Sequence, residues 1–243
     1  MKGLIGVLGG MGPAATVDLF NKFVTYTVAN KDQEHIPLII SSIPDIPDRT
    51  EALLNHGVSP LPLMTDYLKK LEDAGAECIV IPCNTAHFWF DELKNACHVD
   101  MLSIVETTMH EVLLTQKKNI GLLATNATMY MGLYQKSIEQ EKLNCITPDD
   151  ESQKRVMKSI YLLKSGNKDL AEEIMKSQAD LLFSRGAEVI ILGCTEVPVI
   201  LVNEVNKYPD KYIDSTSSLV RAGIQWYENR VGKSHLITSQ NSQ

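Results

Sequence analysis

Two short segments of this chain could carry proton-transfer chemistry. Ile79-Val80-Ile81-Pro82-Cys83-Asn84-Thr85 and Ile190-Ile191-Leu192-Gly193-Cys194-Thr195-Glu196 each end an apolar run on a cysteine. Such runs read as buried strands of a parallel sheet, and the carboxyl ends of those strands face the ligand crevice of an open α/β sheet. Asn84-Thr85 and Thr195-Glu196 start helices well. At a helix N-terminus the free N–H groups and the dipole stabilise a thiolate and lower the thiol pKa, and the same groups can hold a carboxylate. One such cysteine alone would more often be an inert core residue; it is the repetition that argues for function. Two thiols facing each other across a cleft suit the inversion of a carbon that bears hydrogen. One removes a proton from one face while the other delivers a proton to the opposite face, and the roles exchange with direction.

The elements that must position these thiols follow from the hydropathy pattern. Short Ile/Val/Leu runs alternate with longer amphipathic stretches, as in a parallel sheet covered by helices on both faces. Strands are expected at 3–8, 36–42, 77–82, 119–124 and 188–193, with weaker ones near Met101, Cys145 and Tyr212. Helices are expected at 16–29, 62–74, 151–164 and 170–185. The chain also repeats itself. Residues 74–85 align with 185–196 at a constant offset of 111, and Ile5-Gly6-Val7-Leu8 aligns with Ile120-Gly121-Leu122-Leu123 at an offset of 115. Two similar α/β lobes follow, with the active site in the cleft between them. We expect the first lobe to comprise residues 1–100 and 206–231, the second 101–205, and a polar tail 232–243.

Composition narrows the partners. The chain has 243 residues, 23 Lys plus Arg against 30 Asp plus Glu and a formal net charge of −7. With no basic block it lacks the field to hold a nucleic-acid backbone. No apolar run reaches the roughly 18 residues of a membrane span, and the apolar start ends in glycines instead of a cleavage site, as expected of a mature cytoplasmic protein. Five cysteines without a Cys-x-x-Cys fit neither a disulfide framework nor a structural zinc site. Cys78, Cys97 and Cys145 lack the strand-end context and are expected to be structural.

Five motifs, in order, resemble the aspartate/glutamate racemase family, most closely its cofactor-independent aspartate racemases: Gly9-Gly10-Met11-Gly12-Pro13, Ile46-Pro47-Asp48-Arg49-Thr50, Pro82-Cys83-Asn84-Thr85-Ala86-His87, Leu122-Leu123-Ala124-Thr125 and Gly193-Cys194-Thr195-Glu196. The likeness spans Lys2 to about Val231. It implies a two-lobed α/β fold, a homodimer, no pyridoxal phosphate, flavin or metal cofactor, and Cys83 and Cys194 as the two acid/base residues. By analogy Cys194 would serve the L enantiomer and Cys83 the D enantiomer of a small dicarboxylic amino acid.

The remaining candidates have plainer readings beside the functional one. Arg49 could grip a carboxylate bidentately or be a solvated loop residue, and Lys164 could meet a carboxylate or only complement a helix C-terminus. The resemblance makes both of them contacts of the substrate's carboxylates. Gly10-Met11-Gly12-Pro13-Ala14-Ala15 fits the dinucleotide pattern G-x-G-x-x-A, yet no acidic residue ends the second strand; the family reading sets the Met11 and Gly12 backbone beside the substrate instead. Asn84, Thr85 and Thr195 flank the thiols as further contacts. Thr125 and Thr128 offer hydroxyls to a carboxylate, although Asn126-Ala127 departs from the family's usual glycine before the second threonine. Glu196 could orient Cys194 or meet the ammonium group. His87, four residues after Cys83, could be structural, support the site, or make the Cys-His pair of a thiol amidohydrolase.

Overall fold

The computed structural model describes residues 3–232. Eight strands form: β1 (Ile5–Gly9), β2 (Leu38–Ser42), β3 (Cys78–Val80), β4 (Asp100–Leu102), β5 (Asn119–Ala124), β6 (Asn144–Ile146), β7 (Val189–Gly193) and β8 (Tyr212–Asp214). They build two four-stranded sheets of orders β2-β1-β3-β4 and β6-β5-β7-β8, parallel at every pairing. Helices cover both faces of each sheet, so the central strands β1, β3, β5 and β7 bury both rows of side chains. In the first sheet Leu8, Ile79 and Ile81 pack under Met64, Leu68 and Leu71, while Ile5, Val7 and Val80 pack under Leu19 and Phe23. Each fully buried side chain of this kind contributes roughly 1.5–3 kcal/mol. Among the described residues no helix is long and apolar enough to cross a membrane.

The internal repeat extends to atomic packing. Gly6 pairs with Ile79 and Gly121 with Ile190, the same register in both sheets. A Cβ on Gly6 would lie 2.7 Å from Ile79 Cδ1 and 2.9 Å from Ala76 Cβ; one on Gly121 would lie 2.8 Å from Ile190 Cγ1 and 3.2 Å from Ala187 Cβ. Gly75 and Gly186, which turn the chain into β3 and β7, have φ of 93° and 95°. Degenerate strand composition alone does not reproduce register, close approach and turn geometry together.

Several boundaries differ from the expected ones. The helix expected at 16–29 is Pro13–Tyr26, because proline at the first position needs no N–H and presets φ. β3 stops at Val80, where its pairing with the short β4 ends. The lobe boundaries near 100 and 206 also move. β4 straddles the first of them and belongs to the first sheet, and β8 lies in the second sheet although residues 206–231 were expected in the first lobe. The chain returns at helix Ser215–Val231, whose Leu219 and Val220 enter the core with Ile5, Leu19 and Phe23. Asp214 caps that helix through Thr216 N and Ser217 N, and its other oxygen meets Lys22 of helix Pro13–Tyr26 at 2.6 Å. Of the polar tail, only Gly232 lies within the described residues.

Candidate active site

The ends of β3 and β7 bring the two cysteines together. Cys83 and Cys194 are 5% and 4% exposed and line one cavity between the sheets. Asn84, Thr85, Thr195 and Glu196 line it from the same two segments, and Met11, Arg49, Thr125 and Lys164 from other elements. Its enclosed volume is about 20 Å³, room for about one water molecule. A second cavity of about 500 Å³ shares Asp48, Arg49, Lys164 and Glu196 with it and adds Gly10, Gly12 and Pro13. Gly12 therefore sits outside the inner cavity, where a Cβ would lie 3.3 Å from Glu196 Oε1. Thr128 also stands back from the cavity, fully buried behind Thr85 and Thr125.

Both half-sites are stitched across the lobes. Thr195 Oγ1 donates to Pro82 O at 3.2 Å, and Asn84 Nδ2 donates to Ser215 Oγ at 3.1 Å. The Tyr134 hydroxyl donates to Asn84 Oδ1, so both ends of the Asn84 amide are bonded to distant residues and the side chain does not cap the 3₁₀ turn that follows it. The hydroxyls of Thr85, Thr125 and Thr128 form a triangle with sides of 2.9, 3.0 and 3.0 Å. A carboxylate reaching Thr85 and Thr125 would accept bonds that the hydroxyls now exchange with one another.

Arg49 is buried, 8% exposed, at the first position of helix Arg49–Leu54. Asp48 starts that helix by accepting from Thr50 N and Glu51 N, which fixes where Arg49 leaves the backbone. The guanidinium donates to the carbonyls of Ile46, Pro47 and Met11 at 3.1, 3.0 and 3.2 Å. Its Nε is buried without a partner. A solvated loop arginine is excluded by this burial. Lys164 approaches Glu196 Oε1 at 4.0 Å. Burial opposes its charge, but Glu196, Cys194, Asp48 and Cys83 outweigh that and hold its pKa above the usual lysine value.

The helix N-terminus argument fails for Cys194. Its Sγ donates to Glu196 Oε2 at 3.0 Å. Burial first, then the Glu196 charge and this bond, push the thiol well above its ordinary pKa, and the four-residue helix Val197–Ile200 does not reverse the effect. Cys78, Cys97 and Cys145 lie away from the cavity, with burial pushing their thiols up to about 12, 11 and 11. All five cysteines are free.

His87 is no partner for a thiol. Nε2 accepts from Ile104 N at 3.0 Å, which leaves the proton on Nδ1 to be donated to Cys83 O at 2.8 Å. Its ring stacks on Phe90, and burial lowers its pKa to about 4. With both nitrogens bonded to backbone, the Cys-His amidohydrolase reading loses its base. The glycine loop is likewise occupied by its own packing. Gly10 has φ 92°, a Cβ there would lie 2.2 Å from Ile43 N, and Gly10 N donates to Thr16 Oγ1 at 2.9 Å. The loop's glycine requirement comes from the closeness of Ile43, not from a pyrophosphate.

Asp48 and Thr50 line the cavity without having been singled out from the sequence. Asp48-Arg49-Thr50-Glu51 is a capping pattern, so a signal existed for Asp48. Tyr134 and Ser215 reach Asn84 from 50 and 131 residues away, where no local pattern points to them.

Two α/β lobes, a thiol from each at one buried cavity, and cations on its wall define a cleft enzyme suited to proton transfer on a small anion. The chain belongs to the Asp/Glu/hydantoin racemase family, which matches residues 8–223. The aspartate racemase of Picrophilus torridus superposes with a TM-score of 0.85 at 33% identity, over 92% of this chain and 94% of that one. An aspartate racemase homologue from Pyrococcus horikoshii gives 0.73 at 28% identity, over 93% and 99% of the two chains. The broad-specificity amino-acid racemase RacX of Bacillus subtilis is 29% identical over 228 residues, 92% of this chain and 98% of that protein.

Proposed function

We propose that the chain interconverts L- and D-aspartate by two-base proton transfer without pyridoxal phosphate. The observation that carries this reading is the shared cavity: one cysteine from each lobe, together with a buried arginine whose Nε is unpartnered. A substrate held between the lobes presents opposite faces of its α-carbon to Cys83 and Cys194. The thiolate takes the Cα proton on one side, and the opposite thiol gives its proton to the other side. The enzyme is then left with thiol and thiolate exchanged. Arg49 and Lys164 supply positive charge for the two carboxylates, with the Thr85 and Thr125 hydroxyls as further donors. The inner cavity is too small for an amino acid, and the adjoining cavity of about 500 Å³, which shares Arg49, Lys164 and Glu196 with it, supplies the remaining room. The likeness to the Picrophilus torridus enzyme favours aspartate. The likeness to the Bacillus subtilis enzyme keeps a broad-specificity racemase as the second reading.

The test is incubation with L-aspartate in deuterium oxide, without added pyridoxal phosphate, followed by α-proton NMR and optical rotation. We expect deuterium at the α-carbon of the new enantiomer and decay to a racemic mixture. Unchanged aspartate or released ammonia overturns the reading, and faster turnover of L-glutamate or L-alanine transfers it to the broader racemases. In the same assay Arg49→Ala should lose roughly 10- to 100-fold in kcat/KM, the worth of a charged hydrogen-bonded contact.

A further inference from the structure

We propose that Glu196 is a positioning residue that holds the proton on Cys194, so that the resting enzyme presents Cys194 as the acid and leaves Cys83 to be the base. This inference rests on the reading of the two thiols as the proton-transfer pair. Its geometry is specific. Glu196 is 4% exposed, and its Oε2 accepts the Cys194 S–H at 3.0 Å while its Oε1 faces Lys164 Nζ at 4.0 Å. The carboxylate thus has a thiol on one oxygen and an ammonium on the other, and the glycine at position 12 leaves room beside Oε1. Cys83 has no counterpart. Among the described residues no hydrogen bond forms at its Sγ, and the residue two places on, Thr85, brings a hydroxyl where Cys194 has the Glu196 carboxylate.

The charges around the Cys194 sulfur support the same assignment. Besides Glu196, the titratable and charged groups that line this cavity are Lys164 from helix Asp150–Lys164, Asp48 and Arg49 at the start of helix Arg49–Leu54, and Cys83, with the exposed Tyr161 beyond Lys164. Tyr134 stays a neutral phenol, its pKa raised by burial. Burial and the Glu196 carboxylate disfavour the Cys194 thiolate, and Lys164 opposes them only in part. The same Lys164 keeps Glu196 in place. A substrate carboxylate arriving at Lys164 would compete with Glu196 for that cation, which couples ligand binding to the proton on Cys194.

The decisive measurement is the pH dependence of alkylation of each thiol in the full-length protein. Wild type and Glu196→Gln receive brief iodoacetamide pulses between about pH 6 and 10, and carbamidomethylation is read separately on the Cys83 and Cys194 peptides by mass spectrometry. Cys83 shares the cavity and serves as the reference for access. We expect Glu196→Gln to move the Cys194 profile to lower pH by about one unit or more, to leave the Cys83 profile in place, and Glu196→Asp to return Cys194 toward the wild-type profile. Superposed Cys194 profiles in variants with wild-type circular dichroism would overturn the proposal. So would equal shifts at both thiols, which report a looser cleft instead of a lost charge. Alkylation needs no turnover, so a failed racemisation assay and a failed shift are separate results.

Discussion

The Cys83 and Cys194 half-sites have the same scaffold and different surroundings. Both cysteines follow the third strand of a four-stranded parallel sheet, and both following segments bond across to the other lobe. The Cys83 segment is held through its backbone by a neutral histidine and through Asn84 by Tyr134 and Ser215. The Cys194 segment is held at the sulfur itself by Glu196. The difference shows where the duplication is strict. It is strict in strands, glycines and register, which set the places of the two thiols, and relaxed in the side chains that decide which thiol carries the proton.

The largest test removes one thiol at a time. Cys83→Ala and Cys194→Ala should each lower racemisation roughly 10³-fold, within the range that general acid–base groups contribute, with circular dichroism unchanged. An alanine variant that keeps near-normal turnover would reduce the comparison to one working half.

Acid should break the two halves unequally. His87 lies only on the Cys83 side, with its pKa lowered by burial from 6.5 to about 4. Between those values the unfolded chain binds a proton that the folded chain refuses, so the stabilising contribution is complete above about pH 6.5 and is lost as pH falls toward 4. At about 1.4 kcal/mol per pKa unit the loss approaches 3 kcal/mol. Urea unfolding of wild type and His87→Gln at pH 7 and pH 4 reads it directly. The wild type should lose about 3 kcal/mol more than the variant, and parallel losses would mean that protonation of His87 is not what strains the Cys83 segment.

Much of this arrangement is legible in the sequence, and the gaps have physical causes. The central strands β1, β3, β5 and β7 are marked by apolar runs, because a strand buried on both faces has no polar alternation to hide it. Asn119–Ala124 coincides with its expected span, being flanked by polar residues and a threonine. The edge strands β4 and β8 are short and weakly apolar, so the hydropathy pattern does not show which sheet the chain joins around residues 100 and 206. At the site, Cys83, Cys194 and Arg49 stand out by repeat and motif. The charge state of Cys194 does not, because a helix-starting sequence looks the same whether or not a carboxylate two residues on folds back onto the sulfur. Thr128 illustrates the same limit. Its type suits a ligand contact, and only the third dimension shows that Thr85 and Thr125 stand in front of it.

The smallest expected effect bears on how strict the duplication is. Gly6 and Gly121 occupy equivalent positions, and each is hemmed by an Ile, an Ala and a Leu that are themselves equivalent. Their neighbours differ in how far they can yield. At Gly6 a new Cβ meets Ala76 Cβ at 2.9 Å, an atom that cannot move without its backbone; at Gly121 the corresponding Ala187 Cβ is at 3.2 Å and the tighter contact is to the side chain of Ile190. Overpacking costs about 1–3 kcal/mol, offset by about 0.4–1 kcal/mol from the less flexible unfolded chain. Gly6→Ala should therefore destabilise by about 1–2 kcal/mol and Gly121→Ala by less, in urea titrations of the full chain. The reverse order would mean that the second lobe is the more tightly packed copy, and that the first, which supplies Arg49 and Cys83, has the slack to adjust around a ligand.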